Sequence, residues 1–160
     1  MSEINQSKQA FIAERRFRVR YAETDAMGIT HHASYVIWLE DARTYYCRDV
    51  GLPYNEISAQ GIEMQVIDVY VKYLSPSRFD DEIVVKVWIE KVGRASCRFG
   101  YQIINETTGK LCVEAATEHA AVAHDGKIKR FFPKLYDTLI THAGTFPETY
   151  FSRKNKEKAK

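Results

Sequence analysis

The chain lacks most of what would commit it to an oxidising or membrane-bound setting. It holds only three cysteines in 160 residues. Cys47, Cys97 and Cys112 are odd in number, widely spaced and set in apolar or amphipathic patterns. That argues against a disulfide framework and reads as reduced thiols of a cytoplasmic protein. None has sequence neighbours suited to stabilise a thiolate, so a cysteine nucleophile is not expected. No apolar run approaches the roughly 18 residues of a membrane-spanning helix. The opening MSEINQSKQAF is polar and has no apolar stretch of the secretory kind. Charge of one sign is missing too: 23 Lys and Arg stand against 21 Asp and Glu, a net +2. That excludes a nucleic-acid binder driven by a strong basic field.

What is present is enough for a core. The hydrophobic fraction is 45% and the aromatic fraction 12%, as suits one folded domain. The expected domain spans residues 11–145, with 1–10 and 146–160 as tails. The final SRKNKEKAK reads as a solvated basic run.

From Phe11 to Tyr21 apolar and basic residues alternate, with Phe17, Val19 and Tyr21 on one face and Arg16, Arg18 and Arg20 on the other. Period two predicts a strand with one buried face. From Tyr35 to Val50 the period changes. Tyr35, Leu39, Ala42, Tyr46 and Val50 recur at helical steps, predicting an amphipathic helix of about four turns. Gly51 and Pro53 stop it. Four strands follow, over residues 62–74, 82–92, 95–105 and 110–124. They are separated by Ser75-Pro76-Ser77, Gly93, Thr108-Gly109 and Asp125-Gly126. The short breaks predict antiparallel hairpins, and Pro133 to His142 a small last helix. One helix against a long antiparallel sheet leaves strand edges open. A homodimer joining two sheets edge to edge, or a homotetramer of such dimers, would close them.

The densest chemistry lies between Tyr21 and Arg43. A loop carries Asp25, Gly28, His31 and His32 and feeds directly into the helix. A helix start offers unpaired N–H groups and positive partial charge, which suit a developing oxyanion. Taken alone, Asp25 reads first as a residue capping a turn. His31, His32 and Asp25 do not have the spacing of a familiar metal site, so no metal is expected.

Three segments resemble the hotdog-fold acyl-CoA thioesterases of the 4-hydroxybenzoyl-CoA thioesterase group, nearest in pattern to those associated with the Tol–Pal system. The first is Tyr21, Glu23-Thr24-Asp25-Ala26-Met27-Gly28, His31-His32-Ala33-Ser34-Tyr35 and Glu40-Asp41-Ala42-Arg43. The second runs from Tyr73 to Asp81, and the third from Thr117 through Asp125-Gly126 to Pro133. Together they cover most of residues 16–133. Two positions depart from the pattern: Glu23 replaces an Asp that is not catalytic, and Ser34 replaces an Asn, Ser and Asn alike being good helix N-caps.

The resemblance implies an α+β hotdog fold, a long helix wrapped by a curved antiparallel sheet of about five strands. It implies hydrolysis of an acyl-CoA to free acid and CoA, with coenzyme A as part of the substrate and no separate cofactor. Asp25 becomes the nucleophile or the general base on water. His32 handles the carbonyl or leaving group, and Tyr21 is a candidate to position Asp25. First-turn amides at 32–35 would hold the oxyanion, with Ser34 as cap. Tyr35 and Met64 are candidates for the acyl pocket, and Arg78, Lys129 and Arg130 for the CoA phosphates. Esters of acyl carrier protein, or binding without catalysis, are the alternative readings.

Overall fold

Five strands form one antiparallel sheet in the order β1-β3-β4-β5-β2. The computed structural model describes residues 8–146. The strands are β1 (Ala13–Arg18), β2 (Glu63–Tyr73), β3 (Glu82–Val92), β4 (Ser96–Asn105) and β5 (Lys110–Val122). The helices are α1 (His32–Asp49), α2 (Tyr54–Ala59) and α3 (Pro133–His142). The chain thus follows the order read from its periodicity, with the short α2 added after Pro53.

Alternation decides the inner face. Val85, Val87 and Ile89 on β3 face the same side as Phe99, Tyr101 and Ile103 on β4, and all are buried. Against this face lies α1, burying Tyr35, Trp38, Leu39, Ala42, Tyr46 and Cys47 at three- and four-residue steps. Leu39 and Ala42 have no exposure at all, so α1 is the centre of the core rather than a surface helix. No helix of the described residues is long and apolar enough to cross a membrane.

The first strand is shorter than its alternation predicts. β1 stops at Arg18, and Tyr21–Glu23 form a 3₁₀ turn. The Arg20 backbone N–H and guanidinium both donate to the Glu23 carboxylate, which folds the chain back before a strand could continue. Tyr21 therefore leaves the sheet and is 79% exposed. Residues 8–10 belong to the expected lead, yet they pair with the end of the domain. Thr145 N–H donates to Lys8 O and Ala10 N–H to Thr145 O, both at 2.9 Å. The SRKNKEKAK tail lies outside the described residues.

The two edges of the sheet differ. β1 is six residues long and lined by ion pairs. β2 is eleven residues long and exposed over most of its length. A bulge between Val66 and Asp68 shifts its register on β5.

Candidate active site

Asp25 sits at the base of a tight hairpin between Thr24 and Thr30. Its backbone N–H donates to Ile29 O (2.8 Å), and Gly28 N–H donates to Asp25 O (3.0 Å). Gly28 closes the turn at φ +76°, a left-handed conformation open to glycine. Met27 N–H donates to Asp25 Oδ1 at 2.8 Å. The carboxylate is half-buried, and Oδ2 has no hydrogen bond among the described residues. The turn-capping and catalytic readings of Asp25 are therefore compatible, since one oxygen orients the group and the other is available.

The loop is fastened to α1 through Glu23. Its carbonyl accepts from His31 N–H (2.8 Å) and from Ser34 Oγ (3.0 Å). Its carboxylate accepts from Trp38 Nε1 at 3.0 Å and from Arg20. Burial pushes the Glu23 carboxyl up, and the Arg20 and Trp38 hydrogen bonds more than offset this, leaving it below its ordinary range. A second clasp is a buried hydroxyl cluster. Ser77 Oγ lies 2.6 Å from Thr30 Oγ1 and 2.9 Å from Tyr35 Oη. Tyr35 thus anchors the loop, its ring packed on Trp38 and Tyr73.

The helix cap is His31 rather than Ser34. His31 Nδ1 accepts from Ala33 N–H (3.1 Å), and Ser34 N–H donates to His31 O (2.9 Å). Ser34 is buried and turned back on Glu23 O, because that carbonyl reaches it before the helix N–H groups do. Two of the four amides expected to hold an oxyanion, those of Ala33 and Ser34, are therefore filled, and the His32 N–H has no hydrogen bond among the described residues. Tyr73 Oη donates to His32 O at 2.7 Å, tying the helix start to the end of β2. The His31 and His32 rings stack at 4.2 Å and are both exposed. The Tyr21 ring rests against Phe79 at 5.8 Å.

Sequence reasoning missed Glu23, His31 and Tyr73 as the parts that hold this loop. The signals were there: an acidic residue three after Arg20, a His directly before the helical period, and a Tyr opening the second segment of the resemblance.

The expected site residues fall at opposite ends of the sheet. Asp25, His32, Ser34 and Tyr35 lie at the Glu82 end of β3, where Ile29 bridges to Arg78. Lys129 and Arg130 lie at the other end, where Lys129 N–H donates to Ala121 O and Phe131 N–H to Arg94 O. The eleven residues of β3 separate the two ends by about 35 Å. Met64, at the start of β2, shares that far end. It lines a cavity of about 290 Å³ with Glu40, Arg43, Thr44, Cys47 and Val66.

A buried polar chain runs behind this cavity. Arg43 Nη1 donates to Tyr101 Oη (3.1 Å), which is 2.7 Å from Thr117 Oγ1. Thr117 Oγ1 is 2.8 Å from His119 Nε2, and His119 Nδ1 is 3.4 Å from Met64 O. Arg43 donates only, so one direction satisfies every member: Tyr101 donates to Thr117, Thr117 to His119 Nε2, and Nδ1–H points to the carbonyl. That fixes the neutral tautomer of His119. Burial and then the Arg43 charge push its pKa down to about 4.

All three cysteines are free and buried. Burial pushes the Cys47 thiol up to about 11 and raises those of Cys97 and Cys112 as well, so none is poised as a nucleophile. Among the described residues no three His, Cys, Asp or Glu side chains converge as metal ligands.

Comparison with known proteins agrees with this architecture. The chain is 35% identical over 111 residues to a Bacillus subtilis protein named as an acyl-CoA thioesterase, YneP, a match covering 69% of this chain and 80% of that one. It is 30% identical over 127 residues to the acyl-CoA thioesterase YbgC of Haemophilus influenzae, covering 78% and 91%. A solved structure of a DHNA-CoA thioesterase from Staphylococcus aureus superposes with a TM-score of 0.76 at 33% identity, over 79% of this chain and 87% of that one. Residues 19–139 match the thioesterase-like superfamily. With its five-stranded curved sheet around one long helix, the chain belongs to that superfamily of hotdog-fold hydrolases.

Proposed function

We propose that the protein hydrolyses acyl-CoA thioesters at a site shared by two copies paired along β2, with Asp25 as the reacting carboxylate. The observation that carries this reading is the half-buried Asp25, oriented through Oδ1 by Met27 N–H with Oδ2 left available beside the start of α1. Sulfur donates poorly into a thioester carbonyl, so a carboxylate or a water it activates is a sufficient nucleophile. Oδ2 serves either route: it attacks the carbonyl carbon and expels the CoA thiolate to give a mixed anhydride that water then cleaves to the free acid, or it takes a proton from the water that attacks the carbonyl and expels the thiolate. The His32 N–H and the positive end of α1 face the oxygen that gains charge. The reaction uses no cofactor, and coenzyme A arrives as part of the substrate.

The pairing follows from the edge. Val66, Ile67, Val69 and Tyr70 on β2 are each between 41% and 60% exposed, on a strand whose outer edge has no neighbour among the described strands, the kind of edge that takes another strand. A twofold axis that makes one continuous sheet runs the two β2 strands antiparallel. The Tyr73 end of one copy then meets the Glu63 end of the other. Asp25 and His32 of one copy come beside the Met64 cavity, and nearer Lys129 and Arg130, of its partner. The residues that a single chain keeps apart are gathered by this arrangement, and the basic pair becomes available to the CoA phosphates.

Asp25→Asn tests the chemistry. The amide oxygen still accepts from Met27 N–H, so the turn persists and thermal stability stays close to wild type. Free-thiol release from a panel of short, long and aryl acyl-CoA esters falls at least about 100-fold, the scale of losing the reacting group. Retained turnover would refute the assignment. Turnover in excess chelator matches that without it if no metal takes part. Faster release from esters of acyl carrier protein than from CoA esters would move the substrate to that carrier.

A further inference from the structure

The Glu40-Asp41-Ala42-Arg43 segment on α1 is not used by the Asp25 chemistry, yet its Arg43 reaches the buried hydroxyl of Tyr101. It is half-buried at the wall of the 290 Å³ cavity. Among the described residues no carboxylate pairs with it, and its hydrogen bond is to Tyr101 Oη. A guanidinium carries five N–H donors, so Arg43 brings to the cavity lining donors that have no partner among the described residues. Tyr101, 1% exposed, is itself held by Thr117 and His119, 2% and 0% exposed. The chain of hydroxyls and imidazole aims the guanidinium and is directional from end to end. Glu40, on the same wall one helical turn earlier, adds an acceptor and balances the charge.

We infer that Arg43 reads an oxygen on the acyl group of the substrate, so that the Met64 cavity selects compact acyl chains bearing a hydroxyl or carbonyl remote from the thioester. The inference rests on the shared-site reading above, which sets this cavity beside Asp25 of the partner subunit. Its volume is at the small end for ligand sites, which suits a short occupant. Its wall has an aimed donor at Arg43 and an acceptor at Glu40. A plain alkyl tail that displaces water from this wall would leave the Arg43 donors unpaired, and that is the origin of the discrimination. With Glu40 and Arg43 both on its lining the cavity carries no net charge, which disfavours an acyl group ending in a full carboxylate.

The test compares hexanoyl-CoA with ω-hydroxyhexanoyl-CoA. Wild type prefers the hydroxylated ester in kcat/KM by about tenfold or more. Arg43→Met keeps the apolar stem and loses this preference, with a drop on the hydroxylated ester at least about tenfold larger than on the plain one. Arg43→Lys restores part of it, because the charge returns without the fork. Should Arg43→Met fail to fold, Tyr101→Phe removes the hydroxyl that aims Arg43 while keeping the ring, and carries the same comparison. No preference in wild type, or equal losses on both esters, would overturn the inference. If wild type hydrolyses neither ester, the hydrolase reading fails, and equilibrium binding of the same two esters judges the cavity. Tighter binding of the hydroxylated ester that disappears in Arg43→Met sustains it, and equal binding overturns it.

Discussion

At one edge of the sheet, β1 presents Arg16 between Glu14 and Glu106 and Arg18 beside Glu82. At the other, β2 presents Val66, Ile67, Val69 and Tyr70 to solvent over eleven residues. Both edges carry unpaired backbone groups, and only one is protected in the ordinary manner, by being short and charged. The difference teaches which edge is finished. β1 is a terminus of the sheet, whereas β2 has the composition of a strand waiting for a neighbour. The Asp25 loop is tied to that second edge through Tyr73 and His32, so the unfinished edge and the reactive carboxylate belong to one structural unit.

The largest effect expected from this contrast comes from charging β2. Ile67→Lys with Val69→Lys sets like charges of the two copies against each other along the edge and disfavours a second strand. Sedimentation then shows the monomer mass, and kcat/KM falls by about 100-fold or more because half of each site is removed. A variant that stays paired and active would show that β2 is not the shared edge.

Acid distinguishes the two sides by a second route. His119 pairs with Val66 across β5 and β2, and its pKa is pushed down to about 4 from the ordinary 6.5. The unfolded chain therefore binds a proton at higher pH than the folded one does. The contribution is fully present above 6.5, declines as pH falls, and is lost at about 4. It amounts to about 3 kcal/mol. Hydrogen exchange between pH 6.5 and 4 loses protection first in β2 and β5. Uniform loss across the sheet would contradict the assignment.

The smallest effect belongs to β1. Arg16→Ala removes two exposed ion pairs and costs no more than about 1 kcal/mol by chemical denaturation. It leaves mass and turnover as in wild type.

Much of this was legible in the chain. β3 and α3 have the bounds their patterns predict, because strict alternation and a Pro-led helical period leave little choice. The Asp25 turn was legible from Asp and Gly three residues apart. Other features depended on partners far away in sequence. β1 ends early because Glu23 recaptures Arg20. The cap moved from Ser34 to His31 because the Glu23 carbonyl already takes the Ser34 hydroxyl. The separation of Lys129 and Arg130 from Asp25 follows from strand order and register, which local periodicity does not encode. The Arg43–Tyr101–Thr117–His119 chain joins α1, β4 and β5, and its members look unrelated in the sequence.

The central claim, that Asp25 of one copy works with the cavity of another, is tested by mixing two dead proteins. Asp25→Asn lacks the carboxylate and keeps the cavity. Met64→Trp keeps the carboxylate and fills the cavity. Equal amounts are unfolded together and refolded, and free-thiol release is followed. In a mixed dimer one site has both defects and the other has neither, so random pairing restores about a quarter of wild-type turnover. A mixture as inactive as its two parents would show that each chain carries its own complete site.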